Sequence, residues 1–494
     1  MKHIASLLSL IILAMVTSHV GAADMKYGHF SVSRYAAAEA WADSVINTLD
    51  LRQQVAQLVF PRLDIKNDEA GRRQLASLVK NQGIGGFLLG KGTLADYKGL
   101  IDYAQSLTHV PLMVTLDGEW GLAMRVTDAP RFPHNMALGA VTDTKLIEEY
   151  GREVARECRA MGIHVNFAPV LDVNSNPANP VIGYRSFGDN PRRVAELGLA
   201  YARGLESGGV MAVAKHFPGH GDTSVDSHKA LPVLDRSRQQ LDETELVPFR
   251  EYIKAGMSGV MVGHLDVPVL DKSGMPASLS HAVTSDLLKG RLKFGGIVWT
   301  DALAMKGAGG KENNCVAALK AGADVLLQPL HPAQDIDAVM AAIKSGKLKA
   351  DMIRERCHKL LIYKYLFVVA PGAPESGTEG ISRIINSPEA SAVNTRLSSA
   401  VITVLKDDDG VIPWGQLSGS DIAVVSLGAK TENAFSRMCR KYAPCSLYGG
   451  ADGHLSVAEL AKIRRHKKVI VAVFKQNEAV ASTLHKLGEL PGAM

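Results

Sequence analysis

Three histidines, two aspartates and a lysine fall within fourteen residues, Lys215-His216-Phe217-Pro218-Gly219-His220-Gly221-Asp222-Thr223-Ser224-Val225-Asp226-Ser227-His228. They follow an apolar run, Gly209 to Ala214, that reads as a buried β-strand. An apolar strand that delivers titratable groups into a glycine-bearing loop is how an enzyme sets chemistry at the end of a parallel sheet. A solvated surface loop is the plain alternative, but it has no need of so many ionisable groups directly after a core strand. Asp226 and His228 are two residues apart, so in extended backbone both side chains lie on one side. A carboxylate there stabilises the imidazolium and raises the fraction able to donate a proton near neutral pH. His216, His220, Asp222, Asp226 and His228 also allow a zinc reading. Pro218, Gly219 and Gly221 disfavour the helix on which a His-x-x-x-His pair would share a face. No Gly-x-Ser-x-Gly elbow accompanies the histidines to support a serine hydrolase.

These groups need a frame. Eight apolar runs, each ending in polar or small residues, recur along the chain: 54–61, 83–89, 111–117, 164–172, 209–216, 259–266, 295–301 and 323–329. Helical patterns lie between most of them, as at 143–161, 191–208 and 238–256, after a first helix expected at 37–50. This alternation predicts a (β/α)8 TIM barrel, with a doubly wound α/β sheet as the alternative. Asp117, Asp172, His216, His264, Asp266 and Asp301 then fall at or just after the C-terminal ends of strands. Active sites of such barrels sit on that face.

Four segments carry a family resemblance: the Lys215–His228 stretch; Gly295-Gly296-Ile297-Val298-Trp299-Thr300-Asp301-Ala302-Leu303-Ala304-Met305-Lys306-Gly307; Thr115-Leu116-Asp117-Gly118-Glu119-Trp120-Gly121-Leu122-Ala123-Met124-Arg125; and Tyr184-Arg185-Ser186-Phe187-Gly188. Together they resemble family 3 glycoside hydrolases, in particular the β-N-acetylhexosaminidase branch, over about residues 45 to 365. The resemblance implies a retaining exo-β-N-acetylglucosaminidase acting on peptidoglycan fragments, muropeptides or chitin-type oligosaccharides. It implies that Asp301 is the nucleophile of a covalent glycosyl-enzyme, that His228 is the acid/base held by Asp226, and that Asp117, Arg125, Arg185, Lys215 and His216 hold the sugar. His264 is expected to support the floor, and Asp172 is open between a structural and a catalytic role. Relatives often carry Glu-Gly-Gly-Arg where this chain has Glu119-Trp120-Gly121-Leu122, so the outer contacts to the sugar are expected to differ. A β-glucosidase of the same family and a sugar-binding pseudoenzyme are the alternatives. No metal or organic cofactor is implied.

With 494 residues and 46% hydrophobic composition the chain has ample core for a large domain and a smaller one. A net charge of only +5 suggests no nucleic-acid partner. Lys2 and His3, the apolar run 4–16 and Val20-Gly21-Ala22 read as a signal peptide over 1–22, hence an exported, periplasmic or secreted protein with no membrane span after signal removal. The catalytic domain is expected over 23–367. Ala370-Pro371-Gly372-Ala373-Pro374-Glu375-Ser376-Gly377 reads as a linker, and the composition changes from about Val368; apolar β-rich runs at 400–406, 421–428 and 468–474 resemble the beginning of the second, α/β sandwich domain of many family members, which implies a partial sandwich domain within 368–494. Cys439 and Cys445 are near enough in sequence to leave a disulfide open, and an odd count of five leaves at least one thiol free. Oligomeric state is not legible.

Overall fold

The computed structural model describes residues 28–225, 230–309, 312–372, 377, 380–408, 410, 412–413 and 421–488. The expected signal segment and both Asp226 and His228 lie outside them. The chain divides into two compact units between Thr403 and Val404.

The first unit is mixed α/β around a curled parallel sheet. Its strands are β1 Val59–Phe60, β2 Arg62–Leu63, β3 Gly86–Leu89, β4 Met113–Leu116, β5 Val165–Asn166, β6 Met211–Phe217, β7 Gly259–Val262, β8 Ile297–Thr300 and β9 Leu326–Leu327. β2 to β8 form seven neighbouring strands in chain order. A doubly wound sheet would reverse its order at a switch point, and this one does not. β1 pairs with β9, and Trp299 of β8 bridges to Val325 just before β9. The strands are nearly all buried on both faces, as a parallel sheet covered by helices requires. Phe60, Phe167 and Trp299 meet edge to face inside the curl, with ring centroids 5.1 and 5.2 Å apart across Trp299.

Several boundaries differ from the sequence reading. The run 54–61 is not one strand. Leu51–Gln57 is a helix opened by a reciprocal cap, in which the Asp50 carboxylate accepts from the Gln53 N–H and the Gln53 side chain accepts from the Asp50 N–H. The first helix is Val32–Ile46, starting earlier because Ser31 caps it. β5 holds only two residues, and the chain beyond it keeps one bridge, Val170 to Lys215.

The composition change at Val368 does not mark the boundary between units. Ile381–Ile385 and Pro388–Ala400 are helices of the first unit. Arg156, on the helix Thr144–Met161, donates to the Ile384 carbonyl at 2.9 Å, and Arg396 pairs with Glu149 at 2.5 Å.

In the second unit β10 Ile422–Leu427 is central in the parallel order β11-β10-β12, with β11 Cys445–Gly450 and β12 Lys468–Val473. Successive β10 side chains enter two different apolar clusters, one with Val480 and Leu487 and one with Ala443. The run 400–406 is not a strand: Ile402, Val404 and Leu405 are exposed, Leu405 by 92%, and it enters no strand pairing among the described residues. Cys445–Gly450 takes that place instead. Its glycines hid it, yet Gly449 needs them, because a Cβ there would sit 2.0 Å from the Ser426 carbonyl oxygen. All five cysteines are free thiols, so Cys439 and Cys445 are unpaired. Among the described residues no helix is long and apolar enough to cross a membrane.

Candidate active site

The C-terminal ends of β4, β6 and β8 deliver charged side chains into one place. Lys215 lies near the end of β6 with its side chain withdrawn from water. Its ammonium is 2.9 Å from Asp117 and 2.8 Å from Glu119, both on the chain following β4. Arg125 holds the second oxygen of Asp117 at 2.7 Å. Arg185 grips Glu119 with two parallel bonds, Nε to Oε2 at 2.9 Å and a terminal nitrogen to Oε1 at 2.7 Å. Five charged groups thus form one lattice. Burial by itself would push the Asp117 and Glu119 carboxyls up. For Asp117 the Lys215 and Arg125 charges outweigh it, holding the carboxyl well below the carboxylate range. For Glu119 the Arg185 and Lys215 charges do the same, bringing it to about 2. Burial likewise works against the Lys215 ammonium, but Asp117 and Glu119 overcome it and its pKa is raised.

His216 extends this lattice. Its Nδ1 lies 2.6 Å from Asp172, and its Nε2 lies 3.4 Å from an Arg185 nitrogen. The other Asp172 oxygen accepts the backbone N–H groups of His216 at 3.2 Å and His220 at 2.7 Å. Asp172 therefore orients an imidazole and pins the start of the following loop. Burial opposes its charge, and His216 followed by His220 offsets that and keeps the carboxyl low. His220 is buried, with Nδ1 2.7 Å from the Thr223 hydroxyl and Nε2 without a hydrogen bond among the described residues. Desolvation, reinforced by His216, brings its imidazole down to about 4, so it is uncharged at neutral pH.

Asp301 follows β8. Its own N–H donates to Val262 of β7, and its Oδ1 accepts the Ala302 N–H at 2.7 Å. Burial pushes this carboxyl up, and His264, His216, the Ala302 N–H and Lys215 together pull it below its ordinary value. The group is an ionised carboxylate within electrostatic reach of the Lys215 lattice. His264 lies just behind it, with Nε2 2.9 Å from the Ala302 carbonyl and Nδ1 2.6 Å from the Ser278 hydroxyl, bracing the backbone that carries the aspartate. Asp266 stands apart, with a raised pKa caused by desolvation and by Asp271.

The structure therefore brings together six of the eight site residues expected from sequence: Asp117, Arg125, Arg185, Lys215, His216 and Asp301. Glu119, the bidentate partner of Arg185, was not among them. Its position two residues after Asp117 was the available signal. Arg236 was also missed. It reaches Ser175 at 2.9 Å, Asp222 at 2.9 Å and Glu245 at 3.2 Å. It thereby joins the chain on both sides of the segment that carries Asp226 and His228. Among the described residues no group of three or more His, Cys, Asp or Glu side chains is placed to hold a metal ion.

Residues 50–362 match the description "Glycosyl hydrolase family 3 N terminal domain". Beta-hexosaminidase A of Pseudoalteromonas piscicida is 34% identical over 377 residues, which span 69% of this chain and 62% of that protein. The chain thus aligns with less than two thirds of that relative's length. A beta-N-acetylglucosaminidase/beta-glucosidase of Cellulomonas fimi is 29% identical, over 76% of this chain and 68% of that protein. A glycoside hydrolase family 3 beta-N-acetylglucosaminidase from Paenibacillus sp. str. FPU-7 has a similar structure, with a TM-score of 0.75 and 31% identity over 90% of this chain and 89% of that one. The family match covers well over half of the residues, and the chain belongs to glycosyl hydrolase family 3.

Proposed function

We propose that this protein is an exported, retaining exo-β-N-acetylglucosaminidase that removes terminal non-reducing N-acetylglucosamine from peptidoglycan fragments or chitin-type oligosaccharides. The observation that carries the reading is the ionised Asp301 within electrostatic reach of the buried Asp117–Lys215–Glu119–Arg185 lattice. A carboxylate must meet an oxocarbenium-like centre while fixed donors and acceptors hold the sugar hydroxyls. Ala302 restrains Oδ1 of Asp301, so Oδ2 is the attacking oxygen. Lys215, Arg125 and Asp117 offer donors and an acceptor to the hydroxyls remote from the bond that breaks. His216 and Arg185 complete the cradle. The names of the similar proteins favour an N-acetylhexosaminide as substrate. His228 protonates the departing oxygen, with Asp226 orienting it. After departure the neutral imidazole takes a proton from the incoming water. We further assign the seven-stranded sheet and the β1–β9 pair to a single eight-staved barrel, with β1 and β2 as one stave broken at Pro61.

A β-glucosidase is the second reading, favoured by the dual name of the Cellulomonas fimi relative. Initial rates on an aryl β-N-acetylglucosaminide and an aryl β-glucoside decide between them. The first is expected to be cleaved far faster, and equal or reversed rates would transfer the protein to the glucosidase reading. EDTA is expected to leave activity intact, and loss on chelation with rescue by zinc would restore the metal reading.

A further inference from the structure

Four charged side chains meet at the N-terminal end of β8, and the chemistry above uses none of them. Asp324, shortly before β9, is buried, and its Oδ2 accepts the Val298 N–H at 2.9 Å. Lys289, on the helical segment Ala282–Arg291, donates to Asp324 Oδ1 at 2.8 Å. Lys359, on the helix Ala350–Lys364, donates to Asp324 Oδ2 at 2.9 Å and to the Gly296 carbonyl. Asp301 follows the other end of the same strand, so this cluster lies on the face of the sheet opposite the catalytic groups.

Arg356 is the third cation, three residues before Lys359 on the same helix. Its Nη1 is shut away from water and has no hydrogen-bond partner among the described residues. The two lysines already engage both oxygens of Asp324, and the exposed Glu355 acts on Arg356 through charge alone. Burial lowers the Arg356 pKa, and Asp324 and Glu355 offset this only in part. Burial lowers the Lys289 pKa as well, and Lys359 and Arg356 add repulsion that Asp324 does not cancel. The Asp324 carboxyl, which burial alone would raise, is held well below its ordinary range by the three cations.

Three positive groups thus surround one carboxylate, which leaves two positive charges without a counter-charge in a largely desolvated corner. A cation buried without a partner is costly, and a guanidinium offers a rigid fork of donors suited to an oxyanion. The Lys289 and Lys359 side chains are 28% and 25% exposed, so an ion can reach them from solvent. A phosphate group carries about two negative charges near neutral pH and presents acceptor oxygens to several donors at once. We infer that Lys289, Arg356 and Lys359 form a binding site for a free phosphate ion. The bound ion ties the helix Ala350–Lys364 to the segment Ala282–Arg291 at the base of β8, and it stabilises the fold without entering the catalytic chemistry.

The test is thermal unfolding of the full chain in chloride, in inorganic phosphate and in acetate, at neutral pH and matched ionic strength. Phosphate also strengthens folding generally by being excluded from protein surfaces, so the gain in Arg356→Met serves as the baseline. Beyond that baseline, wild type is expected to gain about 2–4 °C as phosphate saturates. In chloride, Arg356→Met is expected to melt no lower than wild type, because an apolar side chain replaces an unpaired charge. Lys289→Gln keeps the Asp324–Lys359 pair and is expected to lose most of the phosphate-specific gain. Should Arg356→Met fail to fold, Lys289→Gln supplies the baseline. Equal gains in wild type and both variants would overturn the site, because phosphate would then act generally or bind elsewhere, as at the Lys215 lattice. A gain from acetate as large as that from phosphate would overturn the assignment to a dianion.

Discussion

Lys215 and Glu119 stand 2.8 Å apart with both side chains withdrawn from water, and each is held by a further charge, Asp117 on one side and Arg185 on the other. A buried ion pair gains little over an apolar pair, but removing one partner strands the other at a cost of about 3–5 kcal/mol. The lattice therefore works as a unit, and its members fail together.

Glu119→Gln is expected to lower stability at pH 7 by about that amount and to flatten the acid limb of the stability curve. Glu119 has a folded pKa of about 2, below its ordinary value. Its charge thus stabilises the fold at pH above the ordinary carboxylate range, and that contribution is lost as pH falls through about 2. Urea midpoints measured from pH 7 to pH 2 check this. A variant with wild-type midpoints across that range would show that the lattice contributes no folding energy.

Asp301→Ala is expected to lower kcat by a factor on the order of 10^4 or more on every leaving group, because no covalent intermediate can form. Peptide mapping after trapping with a fluorinated slow substrate should place the sugar on Asp301. Labelling elsewhere, or an initial product of inverted configuration observed by NMR, would remove it as nucleophile.

His228→Ala is expected to be worst on poor leaving groups, which need protonation, and milder on activated aryl glycosides, where the glycosyl-enzyme accumulates. Azide should then partly restore turnover and yield a β-glycosyl azide. Asp226→Ala should weaken the same step less, since it orients the imidazole but transfers no proton to sugar or water. A uniform loss across leaving groups in His228→Ala would argue against an acid/base role.

The division at Thr403 makes a prediction about truncation. A chain ending at Thr403 keeps the helices that pack on Thr144–Met161 and is expected to retain catalysis. A chain ending at Pro371 loses Arg396–Glu149 and the Arg156 bond to Ile384, and its melting temperature is expected to drop by several degrees relative to the first. Equal melting temperatures would show that residues 372–403 are dispensable, and an inactive but folded 1–403 chain would mean that the second unit contributes to the site.

Much of the sheet was legible because a parallel strand buried on both faces is written as a continuous apolar run. β3, β4, β6, β7 and β8 were each read this way, and the carboxylates and histidines that follow them could be placed from the runs alone. Caps and glycines obscured the rest. The Asp50–Gln53 capping box turned the start of the first run into helix, and Gly449 and Gly450 concealed β11, whose glycine is needed for close approach to Ser426. The expected strand at 400–406 failed because apolar residues make a strand only where a neighbouring backbone is there to pair.

Sequence by itself determined which groups stand at the strand ends, and therefore the kind of chemistry available. Only the tertiary structure decided who partners whom. Glu119, 66 positions before Arg185, and Asp172, 44 before His216, become neighbours only when the sheet curls. The same holds for Trp120, His134 and Tyr184, which read separately as scattered aromatic and polar residues and meet only across three loops. Ion-pair choice and ring contact act over a few ångströms, a range that local sequence pattern does not encode and chain topology does.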